Sequence, residues 1–152
     1  MDRKAMQDQL PKDAGARVCF GCGADNAHGL RIKSYMEGDE AVCRFFPNAA
    51  HTAYPGIVNG GIIATVMDCH GIWAAVGYHK QQAGTDDLPS EEDFRFVTAK
   101  LTVEYLKPTP MDTELVARAR VAKQGERSSR VDITMYAGDV IVAKGDVVAV
   151  KI

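Results

Sequence analysis

Asp68 lies inside the apolar stretch "YPGIVNGGIIATVMDCHG", eight residues after Gly60. An aspartate in such a run is unfavourable unless it is solvated, paired or used. Two consecutive glycines, Gly60 and Gly61, follow Asn59 at the head of the run. Asparagine is a favoured N-cap, and glycines at a helix start leave backbone N–H groups that a ligand can approach without meeting a Cβ. Hydrolysis at a carbonyl needs two things: a donor for the developing oxyanion and a group that activates water. The residues from Asn59 to Gly61 suit the first task, because a helix N-terminus carries partial positive charge. Asp68 suits the second. The plainer alternatives are an ordinary cap with glycines for close packing, and a hydrogen-bonded structural aspartate. The helix-face neighbours of Asp68 are Ala64, Thr65, Gly71 and Ala75, all small, which leaves space beside the carboxylate.

Other reactive side chains are weaker candidates. His70 falls on the apolar stripe and reads as a satisfied core histidine before a catalytic base. Trp73 reads as core or pocket wall. Cys19 and Cys22 form "CFGCG", a spacing shared by zinc knuckles and redox pairs. A structural zinc takes four ligands and there is no second CxxC; His28 and Cys43 complete a set only by accident of folding. The following "ADNAHG" reads as loop, against a redox pair opening a helix. Ordinary reduced thiols are the expectation, with no metal, and Cys69 is expected to fill core. No Walker loop, GxGxxG or Gly-x-Ser-x-Gly elbow occurs, which weighs against nucleotide hydrolysis and serine-hydrolase chemistry.

The elements that must position these residues follow from periodicity. At 152 residues the chain fits one domain with a real core. A formal net charge of −2 supplies no global field for nucleic acid or an anionic membrane. The first residues lack a signal-like apolar core, so a cytoplasmic location is expected, with neither nucleic acid nor membrane as partner. Residues 1–29 read as a polar, glycine-punctuated arm with one short helix, and residues 30–152 as a single domain. "LRIKSYMEGDEAVCRFF" reads as a hairpin, with Leu30, Ile32 and Ser34 on one face and "EGDE" as its turn. Ile62, Ile63, Val66, Met67, His70, Trp73 and Ala74 recur at helical spacing and predict one long helix. "QQAGTDDLPSEEDF" is an acidic loop, long enough for a lid, flap or disordered excursion. Four alternating segments follow. In the first, Val97, Ala99, Leu101, Val103 and Tyr105 are expected on one face, and Thr98 on the other. Short links imply an antiparallel sheet, and one apolar helix is most simply covered by a curved sheet wrapped round it. The class is α+β, with one long central helix and about six strands.

"PGIVNGGIIATVMD", followed by "VTAKLTVEYLKPTP", resembles the PaaI/THEM-type acyl-CoA thioesterases of the hotdog fold. "CFGCGADNAHGL" is similar to the lead-in of many bacterial members. The resemblance covers roughly residues 18–152. It implies that the Gly60 N–H binds the thioester carbonyl, that Asp68 is general base or nucleophile, and that Thr98 helps hold the attacking water. Gly61, at the helix start, and Thr65, a small neighbour of Asp68, are candidates for contact with the substrate. Lys107 and Arg127, with Lys123, are candidates for the coenzyme A phosphates at a pocket mouth, against the plainer reading of solvated surface charge. Coenzyme A is implied as part of the substrate, and no cofactor is expected. Two positions depart from the family pattern: Asn59 stands where a histidine is usual, and Ala53 where some members carry an asparagine.

Eight residues of helix span about 12 Å, too far for the helix start and the carboxylate of one chain to meet one carbonyl. Two antiparallel helices from two chains bring them together, so a homodimer or dimer of dimers is expected. The rival readings are an acyl-CoA-binding module with little turnover, motivated by Asn59, and a hotdog enoyl-CoA hydratase, which the missing histidine disfavours.

Overall fold

The computed structural model describes residues 3–85, 88 and 95–152. Most of the acidic loop expected as a lid or flap therefore lies outside the described residues. The long helix, α1, is Gly60–Gln82. Asn59 caps it by accepting the Gly61 N–H at 2.8 Å, and a turn through Gly56 (φ 84°) precedes the cap. Gly84, at φ 68°, ends it in a left-handed conformation that glycine adopts without strain. The residues of the expected stripe are buried except Ile62, which is half-buried. By length and composition the helix is apolar enough to cross a membrane. Here that apolarity faces the sheet, which touches it through all six strands.

The strands are β1 (Ser34–Glu37), β2 (Glu40–Phe45), β3 (Phe96–Tyr105), β4 (Leu115–Gln124), β5 (Ser128–Ala137) and β6 (Val140–Lys151). They form one antiparallel sheet in the order β1-β2-β4-β5-β6-β3. Gly38 (φ 66°) and Gly138 (φ 61°) supply the positive φ of the β1–β2 and β5–β6 turns. Alternation along β4 and β5 puts Leu115, Ala117, Ala119, Val131, Ile133 and Met135 on the face that covers α1. Small residues dominate β4 there because the helix lies close.

Three expectations are corrected. The first strand starts at Ser34, not Leu30: the Leu30 and Ile32 N–H groups donate to the Phe20 and Gly21 carbonyls of the arm at 2.8 and 3.1 Å. The arm holds two short 3-10 turns, Met6–Gln9 and Gly15–Val18, instead of one helix. Finally, the alternation along β3 is broken. Thr98 pairs with Ala149 and Lys100 with Val148, so Ala99 is an extra residue in a β-bulge. The bulge puts Phe96 and Thr98 on the helix-facing side together with Leu101, Val103 and Tyr105.

The arm is fastened by a buried polar chain. Gln7 Nε2 donates to Ser34 Oγ at 3.0 Å, and Gln7 Oε1 accepts the Ser34 N–H at 2.8 Å. Ser34 Oγ in turn lies 2.8 Å from His70 Nδ1, and His70 Nε2 lies 3.0 Å from the Ala41 carbonyl. Every atom is satisfied when Nε2–H donates to Ala41 and Nδ1 accepts from Ser34, which makes His70 the neutral Nε2–H tautomer. His70 is fully buried, and burial pushes its pKa down to about 4. It is a core histidine, as its place on the stripe suggested.

Candidate active site

At the helix start, the Asn59 carbonyl accepts from the Ile62 and Ile63 N–H groups at 3.0 and 3.3 Å, and its side chain takes the Gly61 N–H. The Gly60 N–H has no partner among the described residues, and neither has the Asn59 Nδ2. The lead-in is held on both sides. Asn59 N donates to His51 O at 2.8 Å, and Val58 N to Thr109 O at 2.9 Å. Tyr105, at the end of β3, donates its hydroxyl to the Gly60 carbonyl at 2.7 Å. Its role could not be read from the sequence, where it appears only as the last apolar member of a strand. Two donors are thus available at a rigid helix N-terminus, where partial positive charge favours a developing anion.

Asp68 stands two turns further along. Thr98 Oγ1 donates to Asp68 Oδ1 at 2.5 Å, a short bond of the charge-assisted kind. The bulge at Ala99 makes this contact possible, since strict alternation would turn Thr98 away. Both residues line a cavity of about 260 Å³. Its walls come from α1 (Ile72, Trp73), from β3 (Phe96, Val97), and from Leu10 and Leu88. Among the described residues Arg95 is the basic residue at this cavity, and nothing in the sequence set it apart from other surface arginines. One carboxylate, held by a hydroxyl on the wall of a mainly apolar cavity, suits activation of a water beside an acyl or aryl group.

The remaining site candidates are not brought to that cavity within one chain. Asn59, Gly60 and Gly61 are at the far end of an uninterrupted helical segment, about 12 Å from Asp68 along the axis. Thr65 Oγ1 donates back to the Gly61 carbonyl at 2.9 Å, inside its own helix. Lys107 is exposed just beyond β3, where its N–H reaches the Val142 carbonyl at 3.3 Å. Arg127 is exposed in the β4–β5 turn, beside Glu126, Lys151 and Ile152. Cys69 is not a plain core filler. It is half-buried, with its sulfur 3.7 Å from that of Cys19. Cys43 is buried on β2, and burial pushes its thiol up to about 12.

Among the described residues β3 is also an edge of the sheet, paired only with β6. Its first residues, Phe96, Val97 and Thr98, line the cavity, and Val97 is exposed. A ten-residue edge strand is a template for pairing with another chain.

Comparison with known proteins bears on this geometry. The model of the "Thioesterase superfamily" matches residues 55–144, more than half of the chain. A thioesterase superfamily protein from Shewanella loihica PV-4 is 37% identical. The match covers 83% of this chain and 95% of that one, with a TM-score of 0.63. The PaaI protein of the E. coli phenylacetic acid degradation operon shares the fold at 20% identity and a TM-score of 0.64, covering 81% and 80% of the two chains. A phenylacetic acid degradation-related protein of Ralstonia eutropha JMP134 does so at 18% and 0.63, covering 80% and 85%. No curated protein matches the sequence. With one long helix wrapped by six antiparallel strands among the described residues, the chain belongs to the thioesterase superfamily and has the hotdog fold.

Proposed function

We propose that the chain hydrolyses the thioester of a small or medium acyl- or aryl-CoA, working as a homodimer or a dimer of dimers. The observation that carries this reading is the Thr98–Asp68 hydrogen bond on the wall of an apolar cavity. The reaction needs that carboxylate beside a helix start, and two antiparallel copies of α1, brought together by pairing of the β3 edges, supply both. The Gly60 N–H and the Asn59 Nδ2 of one chain hold the carbonyl oxygen, while Asp68 of the other takes a proton from water. The water oxygen bonds to the carbonyl carbon and negative charge moves to the held oxygen. Collapse breaks the C–S bond, and the proton passes from Asp68 to the departing sulfur. The products are a carboxylic acid and free coenzyme A. Thr98 orients the carboxylate. Gly61 and Thr65 line the substrate side, and Lys107 and Arg127 meet phosphates once two chains form the pocket mouth. Coenzyme A enters as part of the substrate, in a cytoplasmic setting, and this step calls on no cofactor.

The test is free-thiol release from acetyl-, hexanoyl-, palmitoyl-, phenylacetyl- and benzoyl-CoA by the wild type and Asp68→Asn. A positioned general base contributes about 10²–10⁴-fold, so kcat should fall by that factor while the variant stays folded and oligomeric. Equal turnover by both proteins would refute the role of Asp68. Tight binding of one acyl-CoA without turnover by either would favour the binding-module reading. That reading draws on Asn59, which puts no titratable group at the helix start.

A further inference from the structure

The sulfurs of Cys19, Cys22 and Cys69 lie within 4.8 Å of one another on the wall of the cavity that holds Asp68. Two come from the arm and one from α1. Around a tetrahedral zinc, thiolates at about 2.3 Å from the metal are about 3.8 Å apart, and the Cys19–Cys69 separation is 3.7 Å. The backbone is built to hold this set. The Gly23 N–H closes the turn on the Cys19 carbonyl at 2.8 Å. Side chains are excluded at Gly21, between the two cysteines, and at Gly23, just after them. A Cβ on Gly21 would overlap the Cys69 sulfur, and one on Gly23 would overlap the backbone of Arg17 and Cys19. A disulfide would use two sulfurs and leave the third idle, whereas three converging sulfurs are a soft-metal donor set.

We propose that Cys19, Cys22 and Cys69 bind a soft divalent cation, zinc by chemistry, which clasps the arm to α1 at the edge of the candidate active-site cavity. Each thiol releases its proton on binding, and the cation takes its fourth ligand from the cavity side. The expectation of no metal rested on the lack of a second CxxC. The third ligand comes instead from a helix position that sequence pattern assigns to the core.

The test starts with metal analysis of protein purified under reductant without chelator, followed by Co²⁺ titration of chelator-treated protein. One zinc per chain and cobalt–thiolate charge-transfer absorption are expected. Cys19→Ser, Cys22→Ser and Cys69→Ser should each weaken cobalt binding at least tenfold, and Cys43→Ala should leave it unchanged. Wild-type protein that is folded by circular dichroism, carries no metal and takes up no cobalt would overturn the proposal. So would a disulfide within the three, seen as a two-hydrogen mass deficit in protein kept under reductant, or unaltered cobalt binding by Cys69→Ser. Should one serine variant fail to fold, the wild-type cobalt spectrum still decides. None of these readouts depends on thioester turnover, so the site stands or falls separately from the proposed activity.

Discussion

Lowering the pH from 7 to 5 should destabilise this protein through His70, by an amount that can be worked out from its surroundings. His70 is wholly buried, neutral, and held on both ring nitrogens by Ser34 and the Ala41 carbonyl. Its pKa is about 4 in the fold against 6.5 for an ordinary histidine, with burial as the largest cause. The unfolded chain therefore binds a proton across this window that the native chain refuses. Stability is complete above pH 6.5, declines as pH falls, and levels off below about 4. The whole shift is worth about 3 kcal/mol, of which about 2 kcal/mol is lost between pH 7 and pH 5. The assay is urea denaturation at a series of pH values, comparing the wild type with His70→Gln, which keeps hydrogen-bonding capacity without titrating there. His51 and His79 also have lowered pKa values, but they contribute equally to both proteins and drop out of the difference. The variant should be less stable at pH 7 and should lose about 2 kcal/mol less on going to pH 5. Parallel stability curves for the two proteins would refute the reasoning.

Three further outcomes are expected. Thr98→Val removes the 2.5 Å bond to Asp68, and hydrogen bonds to charged groups contribute about 1.5–3 kcal/mol, so steady-state kcat should fall about tenfold or more with little change in KM. Asn59→Asp retains a cap acceptor for the Gly61 N–H but loses the Nδ2 donor, so it should keep its melting temperature while thiol release slows. Asn59→Ala should lose both activity and about 1 kcal/mol of stability. Gly71→Ala would bring a Cβ to 2.8 Å from Val147 and 2.9 Å from Ile133, and this overpacking of about 1–3 kcal/mol should outweigh the helix-propensity gain of about 1 kcal/mol, lowering the melting temperature by a few degrees.

The helix was legible in the sequence because 3.6-residue spacing, an asparagine cap and a terminal glycine all agree over residues 59–84. The antiparallel sheet was legible because alternation and short glycine turns recur. The facing of β3 was not, because alternation assumes one residue per pairing step and the bulge at Ala99 adds one without changing the composition. That single residue decides whether Thr98 can reach Asp68. Residue type and spacing singled out Asp68, and the family resemblance pointed to Thr98. Their contact joins positions 30 residues apart, and tertiary packing sets it. The same holds for Cys69, which meets Cys19 across 50 residues, and for Tyr105, which bonds Gly60 across 45. Local pattern contains no information about such pairs.

The buried chain from Gln7 through Ser34 to His70 has a consequence for dissection of this molecule. The recognisable family segment, residues 55–144, should not fold as an autonomous unit. A fragment trimmed to it would lose β1 and β2 and so uncover one flank of α1. It would also strand His70 in an apolar setting with neither Ser34 nor the Ala41 carbonyl to bond. Unmet hydrogen-bonding groups there cost about 1–3 kcal/mol each, a large fraction of the net stability of an ordinary domain. The 54 residues ahead of the match are therefore masonry of the same wall, and excising them should give an insoluble or molten product rather than a smaller folded protein.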